Sequence, residues 1–315
     1  MQIHNSHTHI FTNRIVSDHF LPLGLVRLLS RHWWSRRVGW LLNKVNPFSD
    51  DDLFDRYAAF MEIGNSESQL EIFELIRGYY PEGTKFVALM MDMEFMGAGD
   101  VPQSFDKQVD ELAGVRDKYP DHVLPVVAAD PRRKDIADVV RNCVEGRGFA
   151  GIKLCPPLGY YPFDERFADM YAYAQEKGVP VLSHCSRGGV YYRGKITDDM
   201  LAHPKDGRKF KKTGNSEFCD HFADPANYRY VLEEFPRLKI CLAHFGGDGE
   251  WESYLNDSWH AGDEESWISV ILDLMKDERW PNVYADVSYV MHDTRFHPFL
   301  KVLLADPAAL RGIWS

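Results

Sequence analysis

Two histidines near the start of the chain have the spacing of a metal-binding pair. His7 and His9 flank Thr8 in a short β-rich run. Residues i and i+2 of a strand project from the same face, so both imidazoles can face one point. Neutral imidazoles are good ligands for zinc, iron or manganese, although two ligands do not complete a site. The pair is therefore a candidate for half of a metal centre.

Two further histidines end apolar runs. Residues 181–183 lead into His184, and residues 241–243 lead into His244. Each of these could instead be a buried histidine that bonds a backbone carbonyl. Four histidines at the ends of three predicted strands nevertheless favour function, because barrel enzymes place their catalytic groups at the carboxyl ends of the strands. We therefore predict a metal centre at this end of the fold.

The elements that must position these histidines alternate along the chain. Apolar residues recur at helical spacing in residues 136–144, 167–174 and 267–275, between short runs that are nearly continuous in apolar residues. The pair Asp224-Pro225 predicts one more helix start, because proline is tolerated at the first helical position. The alternation predicts an α/β protein with a (β/α)8 TIM barrel that ends at its eighth strand. A doubly wound open sheet is disfavoured, because no GxGxxG motif follows a strand. The predicted strands are residues 2–9, 85–92, 122–128, 149–154, 180–184, 239–244, 282–287 and 310–314.

A single domain over residues 1–315 accounts for the chain, with long insertions at about 12–84 and 185–238. In a barrel these insertions begin at the carboxyl ends of strands and lie over or beside the active face. Residues 25–40 are basic and rich in tryptophan, which is compatible with a membrane-surface helix, but the acidic balance of the whole chain favours a lid or dimer-contact helix. Residues 187–212 hold eight Lys and Arg against three Asp. That segment is either a solvated loop or a mobile flap that attracts anions.

Composition excludes several classes of protein. The formal net charge of −11 argues against nucleic acid or an anionic membrane as a partner. The sequence contains no run of 18 apolar residues, so no membrane span is predicted. It also contains no basic region followed by an apolar one near its start, so no secretion signal is predicted. The five cysteines show no CxxC spacing and are interpreted as free thiols. We expect a soluble cytoplasmic protein that binds a small-molecule substrate, and a homodimer is left open.

Taken in order, the motifs of this chain resemble the amidohydrolase superfamily. The resemblance is to amidohydrolase family 2, the branch that includes aminocarboxymuconate-semialdehyde decarboxylase-like enzymes. It runs over most of the chain and is thinnest in residues 12–84 and 187–215. The matching segments are SHTHIF at 6–11, GIKL at 151–154, VLSH at 181–184, FADP at 222–225, EEFP at 233–236, CLAHFGG at 241–247 and VYADVS at 283–288.

The resemblance implies roles for five of these residues. His7, His9 and His184 would bind one divalent ion, most often zinc, with manganese and iron as alternatives. His244 would lie beside the metal-bound water or the substrate oxygen, as a proton-transfer or electrophilic group. Asp286 would either orient His244 through a hydrogen bond or brace a neighbouring backbone.

Two basic residues are candidates for substrate binding. The resemblance implies that Lys153 is a cation near the substrate carboxylate, rather than a carboxylated lysine that bridges two metals. The alternative is that Lys153 pairs with an acidic neighbour inside the barrel. Arg187 follows His184 and could bind a carboxylate in bidentate fashion, or it could be a solvated loop residue.

One expected group is absent from the sequence. Members of the family carry an aspartate at the end of the eighth strand, where it binds the metal and serves as the general base. Residues 310–315 read LRGIWS and contain no aspartate. Three interpretations stay open: a shortened sequence of an active enzyme, replacement by another carboxylate such as Asp286 or Asp248, or a barrel without catalysis. Loss of one general base costs on the order of 10²–10⁴ in rate.

The predicted function is that of a metal-dependent hydrolase. It would act on a small carboxylated or cyclic substrate through a metal-activated water. Two alternatives stay open: a non-oxidative decarboxylase of the same family, and a catalytically impaired ligand-binding barrel. The motifs are silent on the substrate and do not separate them.

Overall fold

A single curled sheet carries the site. The computed structural model of the protein describes residues 3–20, 63–255, 266–290 and 293–313. Within these ranges seven strands pair in parallel, in the order of the chain, and form a curled half-barrel of the α/β class. They are β1 His4–His9, β2 Lys85–Leu89, β3 Val123–Ala129, β4 Gly151–Leu154, β5 Val181–Ser186, β6 Ile240–Gly246 and β7 Val283–Ala285. The predicted barrel class and the first seven strands are thereby confirmed.

Helices connect the strands, as a parallel sheet requires. The described helices are α1 Gln69–Arg77, α2 Phe105–Lys118, α3 Ile136–Arg141, α4 Ala168–Lys177, α5 Asn215–Ala223, α6 Tyr228–Glu234, α7 Asp248–Leu255, α8 Trp267–Lys276, α9 His297–Ala305 and α10 Pro307–Gly312. The helices predicted from apolar spacing are α3, α4 and α8. Gly178 ends α4 in the left-handed conformation at φ 67°, where glycine carries no Cβ penalty.

The Asp224-Pro225 pair starts a helical segment as predicted. The Asp224 side chain accepts a hydrogen bond from the backbone N–H of Ala226 at 2.8 Å. A short 3-10 turn, Pro225–Asn227, precedes α6. The aspartate satisfies one of the free N–H groups at the helix start, and the proline supplies a fixed φ.

The predicted eighth strand at residues 310–314 is wrong. Residues 310–312 belong to α10, and Ile313 makes one isolated parallel bridge to Ala285 of β7. The helix begins because Asp306-Pro307 is a start signal of the same kind as Asp224-Pro225. The N–H of Leu310 donates to the Asp306 carbonyl at 2.9 Å. Residue 314 lies outside the described part of the chain.

The sheet has apolar residues on both faces, and Lys153 is a buried polar residue among them. The main core lies between the sheet and its helices and includes Ile152 and Leu154 of β4. A smaller cluster of Leu89, Val126, Leu182, Cys241 and Ala243 fills the inner face. Because side chains alternate along a strand, Lys153 falls on the inner face between its two apolar neighbours. The inner face therefore carries a buried amine beside the cluster.

The structure describes the two predicted insertions to different extents. The basic, tryptophan-rich stretch at 25–40 lies outside the described residues. In the second insertion a hairpin is closed by an antiparallel bridge between Ala202 and Lys209. It is anchored by His203, which is buried and contacts the Asn227 side chain at 3.1 Å. This stretch is therefore packed against the domain, and its attraction for anions stays a prediction. No described helix is long and apolar enough to cross a membrane.

Candidate metal centre

The histidine pair, His7 and His9, projects from the end of β1 into the barrel. The pairing of β1 with β2 shifts register between Asn5 and Thr8, and the Asn5 side chain accepts the His7 N–H at 3.1 Å. Irregularities of this kind re-aim side chains next to active sites. The result is a close approach of the two rings, with the two Nε2 atoms 3.3 Å apart.

Hydrogen bonds fix the tautomer of both rings. Nδ1 of His9 lies 3.2 Å from the carbonyl oxygen of Leu89, and Nδ1 of His7 lies 3.0 Å from Oδ2 of Asp286. A carbonyl and an ionised carboxylate only accept, so each Nδ1 carries the proton and each Nε2 keeps its lone pair. Burial lowers the pKa of His7, and lowers the pKa of His9 well below its ordinary value, so both rings are neutral at pH 7.

The pair fits a divalent cation. Two lone pairs cannot hydrogen-bond to each other, so neither Nε2 of His7 nor Nε2 of His9 satisfies its partner at 3.3 Å. Two nitrogens bound to one tetrahedral ion at about 2.0–2.1 Å lie roughly 3.3 Å apart. The spacing and the donor chemistry of the pair are therefore those of two ligands that share an ion.

His184 and His244 close the other side of the cluster. Their ring centroids are 4.8 Å apart, and the rings of His244 and His7 are 4.6 Å apart. Nε2 of His184 lies 3.0 Å from the hydroxyl of Ser186. His184 thus lies among the predicted ligands, with this nitrogen turned to a serine. Among the described residues, His7, His244 and Asp286 offer ligand atoms that all lie within 4.8 Å of one another.

The backbone at the end of β6 is strained. Four consecutive residues, 244–247, have positive φ, at 68° for His244 and 45° for Phe245. Left-handed conformations of non-glycine residues cost about 1–3 kcal/mol each and persist only where the surroundings hold them. Here the His244 N–H donates to Oδ1 of Asp286 at 3.0 Å, and the Gly247 N–H donates to the His244 carbonyl at 2.8 Å. A side chain at Gly247 would bring its Cβ within 2.8 Å of Cβ of Ser186.

Asp286 connects the two sides of the cluster. Its Oδ2 accepts from His7, and its Oδ1 accepts from the His244 N–H and from both the N–H and the hydroxyl of Ser288. Burial alone would raise the pKa of Asp286, but the hydrogen bond from His7, with a further hydrogen bond from Ser288, holds it well below its ordinary value. Asp286 therefore braces a neighbouring backbone, one of its two predicted roles, and it orients His7 rather than the ring of His244.

Lys153 is buried beside the cluster with no hydrogen-bond partner for Nζ among the described residues. Burial lowers the pKa of Lys153, and the nearby Cys155 and Asp286 partly offset that effect. The alternative that Lys153 pairs with an acidic neighbour is not what the described residues show. Burying an amine without a hydrogen-bond partner costs free energy, so a bound group that accepts a hydrogen bond from Nζ would stabilise it.

Arg187 and Asp248 lie in other surroundings. Nε of Arg187 donates to Oε1 of Glu250 at 2.5 Å, and the guanidinium stacks 4.4 Å from the Trp267 ring. Its role in substrate binding stays a prediction. Asp248 is exposed at the first residue of α7. Of the two carboxylates considered as replacements, Asp286 is the one that lies in the cluster.

Sequence patterns missed two residues of the cluster. Ser186 contacts His184, and Ser288 contacts both His244 and Asp286. Each serine follows a predicted site residue by two positions, so the i, i+2 rule that found His7 and His9 was the available signal. The rule holds for hydroxyl side chains as well as for imidazoles.

Comparison with known families settles membership. Residues 5–310 match the family model described as amidohydrolase, the family 2 type. The chain belongs to this family. The resemblance to amidohydrolase family 2 that the sequence motifs indicated is confirmed, and the chain is an enzyme of the amidohydrolase family. A comparison with curated proteins finds no match.

Solved structures share the fold at low sequence identity. A 5-carboxyvanillate decarboxylase from Sphingomonas paucimobilis has a TM-score of 0.53 at 12% identity, over 99% of this chain and 87% of that chain. The corresponding enzyme from Novosphingobium aromaticivorans has a TM-score of 0.51 at 16% identity, over 96% and 82%, and was solved with manganese and 4-hydroxy-3-methoxy-5-nitrobenzoic acid. A probable 2-pyrone-4,6-dicarboxylic acid hydrolase from Acinetobacter baumannii, solved with citric acid, has a TM-score of 0.51 at 10% identity, over 99% and 82%.

Proposed function

We propose that this enzyme is a metal-dependent hydrolase of a small carboxylated or cyclic substrate. The observation that carries the proposal is the approach of two unprotonated Nε2 atoms, on His7 and His9, to 3.3 Å. Imidazole pairs of this kind suit zinc, with manganese or iron as alternatives. A bound ion would lower the pKa of a water molecule and polarise a carbonyl group.

Three histidines would hold the ion. His7 and His9 supply two Nε2 atoms that have no hydrogen-bond donor as a partner within the described part of the chain. His184 is the proposed third ligand, because it lies in the same cluster and burial keeps its pKa well below the ordinary value, which leaves a neutral ring. Neutral imidazole is the form that binds a metal.

His244 is the proposed proton-transfer group. Burial, followed by the effect of His7, lowers its pKa to about 3, so the ring is unprotonated at neutral pH. Its Nδ1 lies 2.9 Å from the Ser288 hydroxyl, which leaves Nε2 to face the cluster. Asp286 is a poor proton acceptor, because four hydrogen bonds occupy its two oxygens. The ring of His244 is therefore the better base.

Lys153 is the proposed contact for a substrate carboxylate. Its Nζ is buried with no hydrogen-bond partner in the described ranges, and an anion would provide both a hydrogen bond and a counter-charge. This contact would account for an amine on the face that also carries the apolar cluster of Leu89, Val126, Leu182, Cys241 and Ala243. It also favours substrates that carry a carboxylate over neutral ones.

Non-oxidative decarboxylation is the second candidate. Two of the three solved structures described above are decarboxylases, and a carboxylate held by Lys153 would be placed for loss as carbon dioxide. Family membership speaks against the third interpretation, a barrel without catalysis. We also propose a cytoplasmic location, because all five cysteines are free thiols.

The test is product analysis with the metal-loaded enzyme. Zinc-loaded and manganese-loaded protein would be assayed on amides, lactones and β-keto or unsaturated acids, with release of carbon dioxide measured separately. We expect hydrolysis of a carboxylated substrate, and a rate on the order of 10²–10⁴ lower in His244→Gln with unchanged metal content. Carbon dioxide as the product would establish the second candidate. No turnover with either metal, or full activity in His244→Gln, would refute the proposal.

A further inference from the structure

Ser288 lies at the centre of the hydrogen bonds that hold His244. Its hydroxyl lies 2.9 Å from Nδ1 of His244 and also donates to Oδ1 of Asp286. Its own N–H donates to the same Oδ1 at 3.0 Å, and its carbonyl oxygen lies 3.3 Å from the same Nδ1. Three polar atoms of one residue therefore converge on two neighbours.

The protons in this arrangement can be assigned by elimination. Oδ1 of Asp286 already accepts two backbone N–H groups, so the single hydroxyl proton of Ser288 is donated to it. The hydroxyl oxygen must then accept from Nδ1 of His244. The carbonyl of Ser288 can also only accept, so both contacts require a proton on Nδ1. The lone pair of His244 is consequently on Nε2.

The same residues hold the backbone of His244. Its N–H donates to Asp286, and its φ of 68° is one that surrounding contacts must maintain. The final torsion of a histidine side chain is broad and roughly two-fold, so backbone position alone does not choose between the two ring nitrogens. The contact with Ser288 supplies that choice.

We propose that Ser288 is a positioning residue that holds His244 in the Nδ1-protonated tautomer, with Nε2 available to substrate. The proposal deepens the proposed function and rests on it for the catalytic role of His244. The described hydrogen bonds of Ser288 go to His244 and Asp286, so it acts on the orientation of the proton-transfer group and not directly on the histidine pair. A purely structural serine would affect stability without affecting the tautomer.

The test combines nitrogen-15 NMR of histidine side chains with kinetics on the zinc-loaded protein. The His244→Gln variant identifies the His244 resonances. We expect the wild type to show a protonated Nδ1 and a lone-pair Nε2, and Ser288→Ala to show a mixture of tautomers. We expect kcat to fall by about 10- to 100-fold in Ser288→Ala with KM unchanged. Ser288→Thr keeps the hydroxyl and should restore both tautomer and kcat.

A matched control is Ser266→Ala, which removes a buried hydroxyl with no hydrogen-bond partner among the described residues. It should change neither the His244 tautomer nor kcat. A protonated Nε2 in the wild type would overturn the proposal without any variant. So would a single unchanged tautomer with full kcat in Ser288→Ala, or a Ser288→Thr protein that behaves like Ser288→Ala. A tautomer that depends on Ser288 in a protein that turns over no substrate would refute the proposed function and leave the positioning role standing.

Discussion

The histidine pair and the hub, which comprises His244, Asp286 and Ser288, hold their functional groups by different means. The pair lies on a strand whose alternation and one shift of register bring two rings together, and its two Nε2 atoms find no hydrogen-bond donor among the residues that the structure describes. In the hub almost every polar atom is paired, and the backbone itself is strained. A metal ligand needs a lone pair that points at the ion. A proton-transfer group needs one chosen tautomer, which takes more contacts to fix.

Asp286 joins the two halves, so replacing it should affect both. In Asp286→Asn the shape is kept, but an amide NH₂ replaces one acceptor oxygen. Facing His7, that group would either leave Nδ1–H without an acceptor or favour the opposite tautomer, which moves the lone pair away from His9. We expect zinc affinity and kcat each to fall by about 10- to 100-fold. Calorimetric zinc titration and steady-state kinetics measure the two effects.

The matched control for this change is Asp130→Asn. Asp130 is also buried at the end of a strand, but it pairs with Arg132 at 2.6 Å and lies outside the cluster. The Asp130→Asn protein should be less stable than the wild type and should keep its zinc affinity. If Asp286→Asn lost kcat alone and bound zinc normally, the pair would be independent of the hub and Asp286 would not orient His7.

Replacing Lys153 should have a smaller effect, which extends to the histidine pair and to the hub alike. Burial is the main cause that lowers the pKa of His7 and of His244, and the charge of Lys153 adds to the effect on each. Lys153→Met removes a buried amine for which the described residues offer no hydrogen-bond partner, so the free energy of unfolding should rise by about 1–3 kcal/mol. The value of kcat/KM for a carboxylated substrate should fall by about 10-fold, the worth of one hydrogen bond to a charged group. Urea unfolding and kinetics provide the measurements.

Lys239→Met serves as the control for the expected rise in stability and fall in kcat/KM of Lys153→Met. Lys239 is exposed before β6, and an exposed change of this kind should alter stability by less than about 0.5 kcal/mol. Equal kcat/KM for carboxylated and neutral substrates in both the wild type and Lys153→Met would remove Lys153 from substrate binding. A loss of stability in Lys153→Met would show that the amine has a partner within the protein.

Regular patterns predicted the histidine pair well. The strand ends that carry His9, His184 and His244 were found because parallel strands are apolar on both faces and the histidines interrupt them. The i, i+2 spacing of His7 and His9 placed both rings on one face, and the close approach of their Nε2 atoms agrees with that prediction. The resemblance to amidohydrolases supplied the family, which the match over residues 5–310 confirms.

Structural features that no repeating sequence pattern records were not predicted. The left-handed run that begins at His244 and the contacts of Ser288 depend on residues about 40 positions apart, which no local pattern records. The false eighth strand had a different cause. Asp306-Pro307 is the same type of helix start as Asp224-Pro225, and the helix that it begins includes residues 310–312. Local capping chemistry decided the structure there, whereas the expected barrel topology decided the prediction.

The central claim is that His7 and His9 share one divalent ion. It is tested most directly by zinc titration of the wild type, His9→Ala and His122→Ala. His122 also turns its Nδ1 to a backbone carbonyl, at 3.1 Å from Thr84, but it precedes β3 at the opposite end of the sheet. We predict close to one tightly bound ion per chain in the wild type and His122→Ala, and well below one in His9→Ala. An unchanged ion in His9→Ala, or no tightly bound ion in the wild type, would contradict the account.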